Sequence, residues 1–455
     1  MRNRLVLAVC LATGFTTLLD QAALTVAVPA LRSDLGADTA QVQWILAAYS
    51  LTFGLALVPA GRLGDAHGRH RLLVGGLALF SSASLLGACA SDPWMLVAAR
   101  LLQGLGAGTA NPQVLGLIQD RFEGTGRTRA LGAYATVAAL SSVLAPLVGG
   151  GLLAIAGPET GWRLVVAVNV PFGLATCLVA ALRLGRGHPV RDGRADLDLV
   201  GVALLTLLTL CVLLPVVGAG PPLAWSAAGV AVLVTLVRWE RRVARRGGTP
   251  VLLPALLRSR GFVLGTLVAM CWFGSSLGST VVITLALQDG LGLSPLAAGL
   301  CTVPAAIGMG LVSWLGWRVV TRWGRPSVTV ALASLLLVEL GTLGAVLTLP
   351  DAALPWTLAG SQLLVGAAGG LVTAPNQGLS LALAPAGARG LAAGFFQVSQ
   401  RISATLCLAA GTGLFVVAGA AGSWRTGLAT GIGLAAALIA VALVASAADR
   451  RPVSG

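Results

Sequence analysis

The sequence predicts an all-α integral membrane protein with about fourteen spanning helices. Three observations carry that expectation. Of 455 residues, 56% are hydrophobic and only 10% are charged, too few charges to cover the surface of a water-soluble chain of this length. The apolar residues fall in blocks of about 20, the length at which a helix crosses roughly 30 Å of hydrocarbon. Backbone polar groups inside such blocks can bond only to one another, so the blocks are helices. A membrane β-barrel would show shorter segments of alternating polarity.

Taken in order, the blocks put helices at about 5–31, 41–60, 72–90, 94–118, 130–155, 162–183, 199–218, 223–238, 262–287, 296–315, 327–348, 355–383, 391–416 and 425–447. Arg2 and Arg4 before an apolar run have the look of a signal peptide. The run continues to about Leu31 without a small-residue cleavage site, so a retained first helix is expected. With the N-terminus inside, alternate connectors hold about 25 of the 30 basic residues, and the opposite connectors hold Arg32, Arg163 and Arg425. That asymmetry predicts a multi-pass protein of the bacterial cytoplasmic membrane with both termini in the cytoplasm. It also favours an even helix count, because one missed span would scramble the segregation.

Composition excludes several function classes. The formal charge of +14 is spread over short connectors without interleaved aromatics, which argues against nucleic acid as a partner. Every basic residue is arginine, consistent with a GC-rich coding bias. The seven cysteines all lie in apolar blocks without CxxC spacing and read as packing residues, not metal or redox sites. His67, His70 and His188 fall in connectors, and no nucleotide loop or nucleophile triad is present. An enzyme and direct ATP coupling within this chain are therefore not expected, nor any metal or cofactor.

Two stretches resemble each other. Gly68-Arg69 after the second helix matches Gly324-Arg325 after the tenth, Pro93-Trp94 at the fourth matches Pro355-Trp356 at the twelfth, and Arg129 meets Arg389. Matches in the same order argue for duplication of a six-helix unit, with the seventh and eighth helices inserted between the copies. The expected organisation is an N-terminal six-helix bundle (1–184), two inserted helices with cytoplasmic connectors (185–260), and a C-terminal six-helix bundle (261–455). Parallel repeats with a site between them at mid-membrane are a secondary-transporter architecture.

The motifs then resemble the major facilitator superfamily, specifically its fourteen-helix drug:proton antiporter branch, over essentially the whole chain. Gly61-Arg62-Leu63-Gly64-Asp65-Ala66-His67-Gly68-Arg69-His70-Arg71 is similar to the superfamily's loop G-x-L-x-D-x-x-G-R-x-R. Its glycines permit a tight turn, Asp65 can cap a helix or pair with an arginine, and Arg69 and Arg71 hold the cytoplasmic surface. Arg100-Leu101-Leu102-Gln103-Gly104 resembles the fourth-helix motif R-x-x-Q-G, and Pro146-Leu147-Val148-Gly149-Gly150 the antiporter motif G-P-x-x-G-G, with Ala145 in place of its first glycine. Leu19-Asp20 ahead of Ala27-Val28-Pro29, and Gly161-Trp162-Arg163 with Asn169-Val170-Pro171, resemble elements of the fourteen-helix branch. In the thirteenth helix Gln400-Arg401 reverses the family's usual order, turning the charge by about 100° around the helix.

The resemblance implies export of amphipathic, drug- or antibiotic-like small molecules in exchange for protons, by alternating access, with the proton gradient as the energy source. Such exchange needs a carboxylate that is protonated facing one side and ionised facing the other. Only Asp20 and Glu339 lie well inside spans. Asp20, Arg100 and Glu339 are the candidates for proton coupling, although a structural bond to a neighbouring helix is open for both acids and snorkelling for the arginine. Gly61, Asp65, Gly68, Arg69 and Arg71 are expected to gate, and Pro146, Gly149 and Gly150 to shape the fifth helix. Gln21, Asn111, Asn376 and Gln397 are candidates to line a substrate cavity, with packing or inter-helix bonding as the other reading. The expected partners are the lipid bilayer, a small-molecule substrate and protons, and a monomer is expected. A dedicated exporter of one endogenous metabolite is the alternative. A non-transporting receptor or scaffold would call for an appended soluble domain, whereas no connector exceeds about 25 residues.

Overall fold

The computed structural model describes residues 2–184, 198–217, 221–246, 256, 258–385 and 388–449. Among them are fourteen α-helices and no strand, in the order the apolar blocks predict. They are α1 (Arg2–Leu35), α2 (Thr39–His67), α3 (Arg69–Ala88), α4 (Pro93–Arg121), α5 (Gly124–Ala167), α6 (Asn169–Arg183), α7 (Leu199–Leu213), α8 (Pro222–Arg245), α9 (Arg260–Leu285), α10 (Pro295–Trp323), α11 (Arg325–Thr348), α12 (Leu354–Leu381), α13 (Arg389–Ala421) and α14 (Trp424–Ala448). Helix starts follow local chemistry. Asp38 caps α2 by accepting from the Gln41 amide while the Gln41 side chain returns to the Asp38 amide, a capping box. Asp92 caps α4 ahead of Pro93, whose missing N–H costs nothing in the first turn.

Among the described residues, eleven segments are long and apolar enough to cross a membrane. The difference from fourteen has three causes. α5 and α6 count as one stretch, Gly124–Arg183, and α7 is short. α4 is long enough but too polar, because it carries Arg100, Gln103, Asn111, Gln113 and Gln119, all buried in the protein. The break between the fifth and sixth spans lies at Gly157, the one residue of α5 with non-helical backbone (φ 74°), a left-handed value that favours glycine.

The helices fall into two compact units. The first comprises Met1–Glu123, Ser141–Leu257 and Ala384–Val398; the second comprises Gly124–Leu140, Arg258–Leu383 and Ser399–Gly455. In the first, α4 is central: α2 and α3 pack along it and α1 joins it, while α6 lies on α3 and α1. Leu19, Leu24, Leu31, Ile45 and Trp162 belong to an apolar core of this unit. In the second, α10 and α11 pack on α12, and α14 lies on α9 and α11, around cores that include Trp272, Leu332 and Leu335 and, separately, Ile283, Leu354 and Ile432.

The same close approach occurs in both units. A Cβ on Gly104 or Gly108 of α4 would overlap the carbonyls of Tyr49 or Phe53 on α2. On α12, a Cβ at Gly366 or Gly370 would overlap the carbonyls of Ala305 or Met309 on α10. Small residues that let two backbones touch are how membrane helices associate without a hydrophobic driving force.

Candidate functional site

Within the first unit, five helices send polar side chains to one buried point. Asp20 of α1 is 3% exposed and Arg100 of α4 is 1% exposed. Arg100 Nη1 meets Asp20 Oδ2 at 2.5 Å. The second carboxylate oxygen accepts from Asn169 Nδ2 of α6 at 2.7 Å and from Gln103 Nε2 of α4 at 3.3 Å. Gln103 links the assembly further, accepting from Arg100 at 3.0 Å and donating to Ser84 Oγ of α3 at 2.7 Å. The Arg100 guanidinium also lies 4.5 Å from the ring centre of Tyr49 on α2, a cation–π contact. Tyr49 in turn donates to the Thr17 carbonyl of α1 at 2.9 Å.

While it is intact, this arrangement adds little net stability to the fold. A buried ion pair gains about as much from attraction as it loses in desolvation, so hydrophobic residues of similar volume stabilise equally well or better. Removing one partner is different: an orphaned buried charge costs about 3–5 kcal/mol. The carboxylate is therefore held in a state that is tolerable only while every partner is present.

Thr13, Thr16 and Thr17 are buried and donate to the carbonyls of Val9, Ala12 and Thr13. Asn111 donates to Thr17 Oγ1 at 3.3 Å, joining α4 to α1 one layer from the ion pair. The side chains of Gln21 and Pro146 lie outside the described residues. Gln397 is half-buried, and its Nε2 finds no partner among the described residues.

A second network surrounds the loop between α2 and α3. Asp65 accepts the backbone N–H groups of Gly390 and Leu391 at 3.0 and 2.9 Å. These are among the first N–H groups of α13, which have no partner within their own helix, so the carboxylate caps that terminus and complements its dipole. Arg69 bridges Asp65 at 2.7 Å and Asp120 at 2.6 Å, and Asp120 holds Arg389 at 3.0 Å. Gly68 turns the chain between α2 and α3 at φ 96°, and Gly61 lies so close to Gly390 that a Cβ would overlap its carbonyl. Arg71 is exposed. In α5, a Cβ on Gly149 would stand 3.0 Å from the Ala23 carbonyl of α1, whereas one on Gly150 would meet open space.

The second unit differs in character. Glu339 of α11 is 3% exposed, and no hydrogen bond or ion pair reaches it among the described residues. Asn376 of α12 is engaged at both ends, accepting from Arg325 at 2.8 Å and donating to the Gly265 carbonyl at 2.7 Å. Arg325 also pairs with Asp449 at 3.3 Å. Asp20 and Arg100 are thus brought together, as are Asp65 and Arg69, while Glu339, in the other unit, has no polar partner among the described residues. Sequence reasoning did not single out Asn169, Gln103 or Ser84 as site residues. Asn169 and Gln103 stood inside motifs already quoted; Ser84 carried no signal.

The family model for the Major Facilitator Superfamily matches residues 10–404. A probable actinorhodin transporter of Streptomyces coelicolor is 35% identical over 415 residues, covering 89% of this chain and 71% of the relative. The cephamycin export protein CmcT of Amycolatopsis lactamdurans is 35% identical over 376 residues, covering 79% and 74%. Among solved structures, the proton:xylose symporter XylE shares the fold with a TM-score of 0.69 at 15% identity, covering 97% of this chain and 94% of that one.

Proposed function

The chain belongs to the major facilitator superfamily, and from that premise we propose that it exports amphipathic, antibiotic-like small molecules across the bacterial cytoplasmic membrane in exchange for protons. The observation that carries the proton half of this reading is the buried Asp20–Arg100 pair with its fixed partners. A proton reaching Asp20 neutralises the carboxylate and leaves Arg100 without its counter-charge. The arrangement is then costly, and a change of helix packing that gives Arg100 water or substrate relieves it. Proton binding and conformation are linked in this way, and the link runs in both directions.

In the proposed cycle the protein alternates access to a central cavity. Asp65, Arg69, Asp120 and Arg389 act as a latch on the first turn of α13, and its release accompanies the opposite state. Asn111 and Gln397 are proposed to face substrate. Asn376 is a weaker candidate, since both ends of its amide are taken. Glu339 is proposed as an additional proton site. The termini are proposed to be cytoplasmic, the working unit a monomer and the only energy source the proton gradient.

A narrower reading has its own support. Two relatives are named for a single antibiotic each, which favours export of one endogenous product over broad drug efflux. Expression in a drug-sensitive bacterium, with growth scored across a compound panel and accumulation measured with and without a protonophore, separates the possibilities. Resistance to many unrelated compounds supports broad efflux. Protection against one chemical class supports the narrow reading, and export unaffected by the protonophore overturns proton coupling.

A further inference from the structure

We propose that the cytoplasmic end of α8 is a binding site for the phosphodiester headgroup of an anionic phospholipid. Five arginines, Arg238, Arg241, Arg242, Arg245 and Arg246, are exposed there. Their spacing of i, i+3, i+4, i+7 and i+8 puts them on one face of the helix. Leu223 and Val234 lie on the same face in the turns before, with Val230 and Val237 along its edge, all exposed. One stripe therefore runs from apolar to arginine, as a surface does that follows acyl chains up to a charged headgroup.

Three further observations support a ligand here. Several other arginines near helix ends are used internally: Arg69 and Arg389 hold Asp120, and Arg325 holds Asp449. None of the five on α8 has an ion pair or hydrogen bond to a described residue. Next, α8 is the least enclosed of the spans, with 11% of its apolar window buried, and it packs chiefly on α7 and the 3-10 turn Leu214–Val217 that follows it. Its outer face is left to lipid. Finally, the rotation of α8 is fixed: Trp239 Nε1 donates to Asp198 Oδ1 at 2.7 Å, and Asp198 also caps α7 through the Gly201 amide. The arginine face is held in a set direction.

Orientation in the membrane does not explain this pattern. The inward bias of basic residues counts charges near a helix end and is satisfied wherever they lie around the helix. Complementing the helix dipole needs one or two cations in the last turn. Five guanidiniums on the lipid-facing stripe offer planar, forked donors for phosphate oxygens.

The test uses the full-length protein in mixed micelles, with bound lipid counted by native mass spectrometry against phosphatidylglycerol and phosphatidylcholine. The native chain is expected to retain one or more phosphatidylglycerol molecules in preference to phosphatidylcholine, and glycerol phosphate without acyl chains should not displace them. Replacing Arg241 and Arg245 by Gln, which leaves three arginines to maintain orientation, should weaken phosphatidylglycerol binding about fivefold for each arginine removed. The single Arg241→Gln variant gives the same readout if the double variant folds poorly. Equal retention of the two lipids by the native chain, or unchanged phosphatidylglycerol binding by folded variants, would overturn the proposal.

Discussion

The side-chain amide of Asn169 donates to Oδ1 of Asp20 across 2.7 Å, so the first residue of α6 fixes the carboxylate oxygen that Arg100 does not take. Both residues are almost fully buried. The carboxylate is therefore positioned from two sides, and its role can be probed from each.

Replacing Asn169 by Leu removes a donor from a buried charge. The expected loss is about 1–3 kcal/mol of stability, and export should fall because Asp20 is no longer held against Arg100. Asn169→Gln, which can restore the donor, should recover part of both. Thermal melting together with drug accumulation in cells checks this; a silent Asn169→Leu variant would remove Asn169 from the site.

Asp20 and Arg100 should be strongly non-additive. Asp20→Ala and Arg100→Ala each orphan a buried charge and should cost about 3–5 kcal/mol. The double variant, which removes both charges, should be markedly more stable than the sum of the two losses implies. A double-mutant cycle on unfolding in detergent measures the coupling. Additive losses would mean that the pair does not act as a unit.

The latch at α13 makes a local prediction. Asp65→Ala removes the acceptor for the Gly390 and Leu391 amides, and a lost cap is worth about 1 kcal/mol. Hydrogen exchange in the first turn of α13 should quicken roughly fivefold, while the core of α4 keeps its protection. Unchanged exchange at α13 would show that Asp65 does not hold this terminus.

Glycines of the two motifs should respond differently. Gly104→Ala forces a Cβ into the Tyr49 carbonyl of α2, and Gly366→Ala does the same against Ala305 of α10. Each should destabilise by about 1–3 kcal/mol through overpacking. Gly150→Ala adds its methyl to open space and should leave folding unaffected. Melting temperatures of the three variants decide the matter; a fold that tolerates Gly104→Ala would contradict the close approach.

Much of the fold was legible in the sequence because a membrane imposes few solutions. Block length carries the order of the helices. The break at Gly157 was legible as well, since Gly157-Pro158-Glu159-Thr160-Gly161 interrupts the apolar run between the blocks at 130–155 and 162–183. At the site, Asp20 and Arg100 stood out as charges in apolar spans, which need partners. Their meeting could not be read off, because spacing along the chain says nothing of which helices touch. Asn169 was hidden for a related reason: asparagine is common at a helix start, where it signals a boundary more readily than a ligand for a carboxylate. Ser84 is one small hydroxyl among many in α3 and becomes visible only as the acceptor for Gln103.

The most direct test of the account is substrate export from right-side-out proteoliposomes driven by an imposed pH gradient, with the native chain beside Asp20→Asn. The account predicts gradient-driven export by the native chain. It predicts none by Asp20→Asn, although that variant inserts and melts cooperatively and still exchanges substrate passively. Export by Asp20→Asn that follows the pH gradient as it does in the native chain would contradict the assignment of Asp20 as the coupling residue.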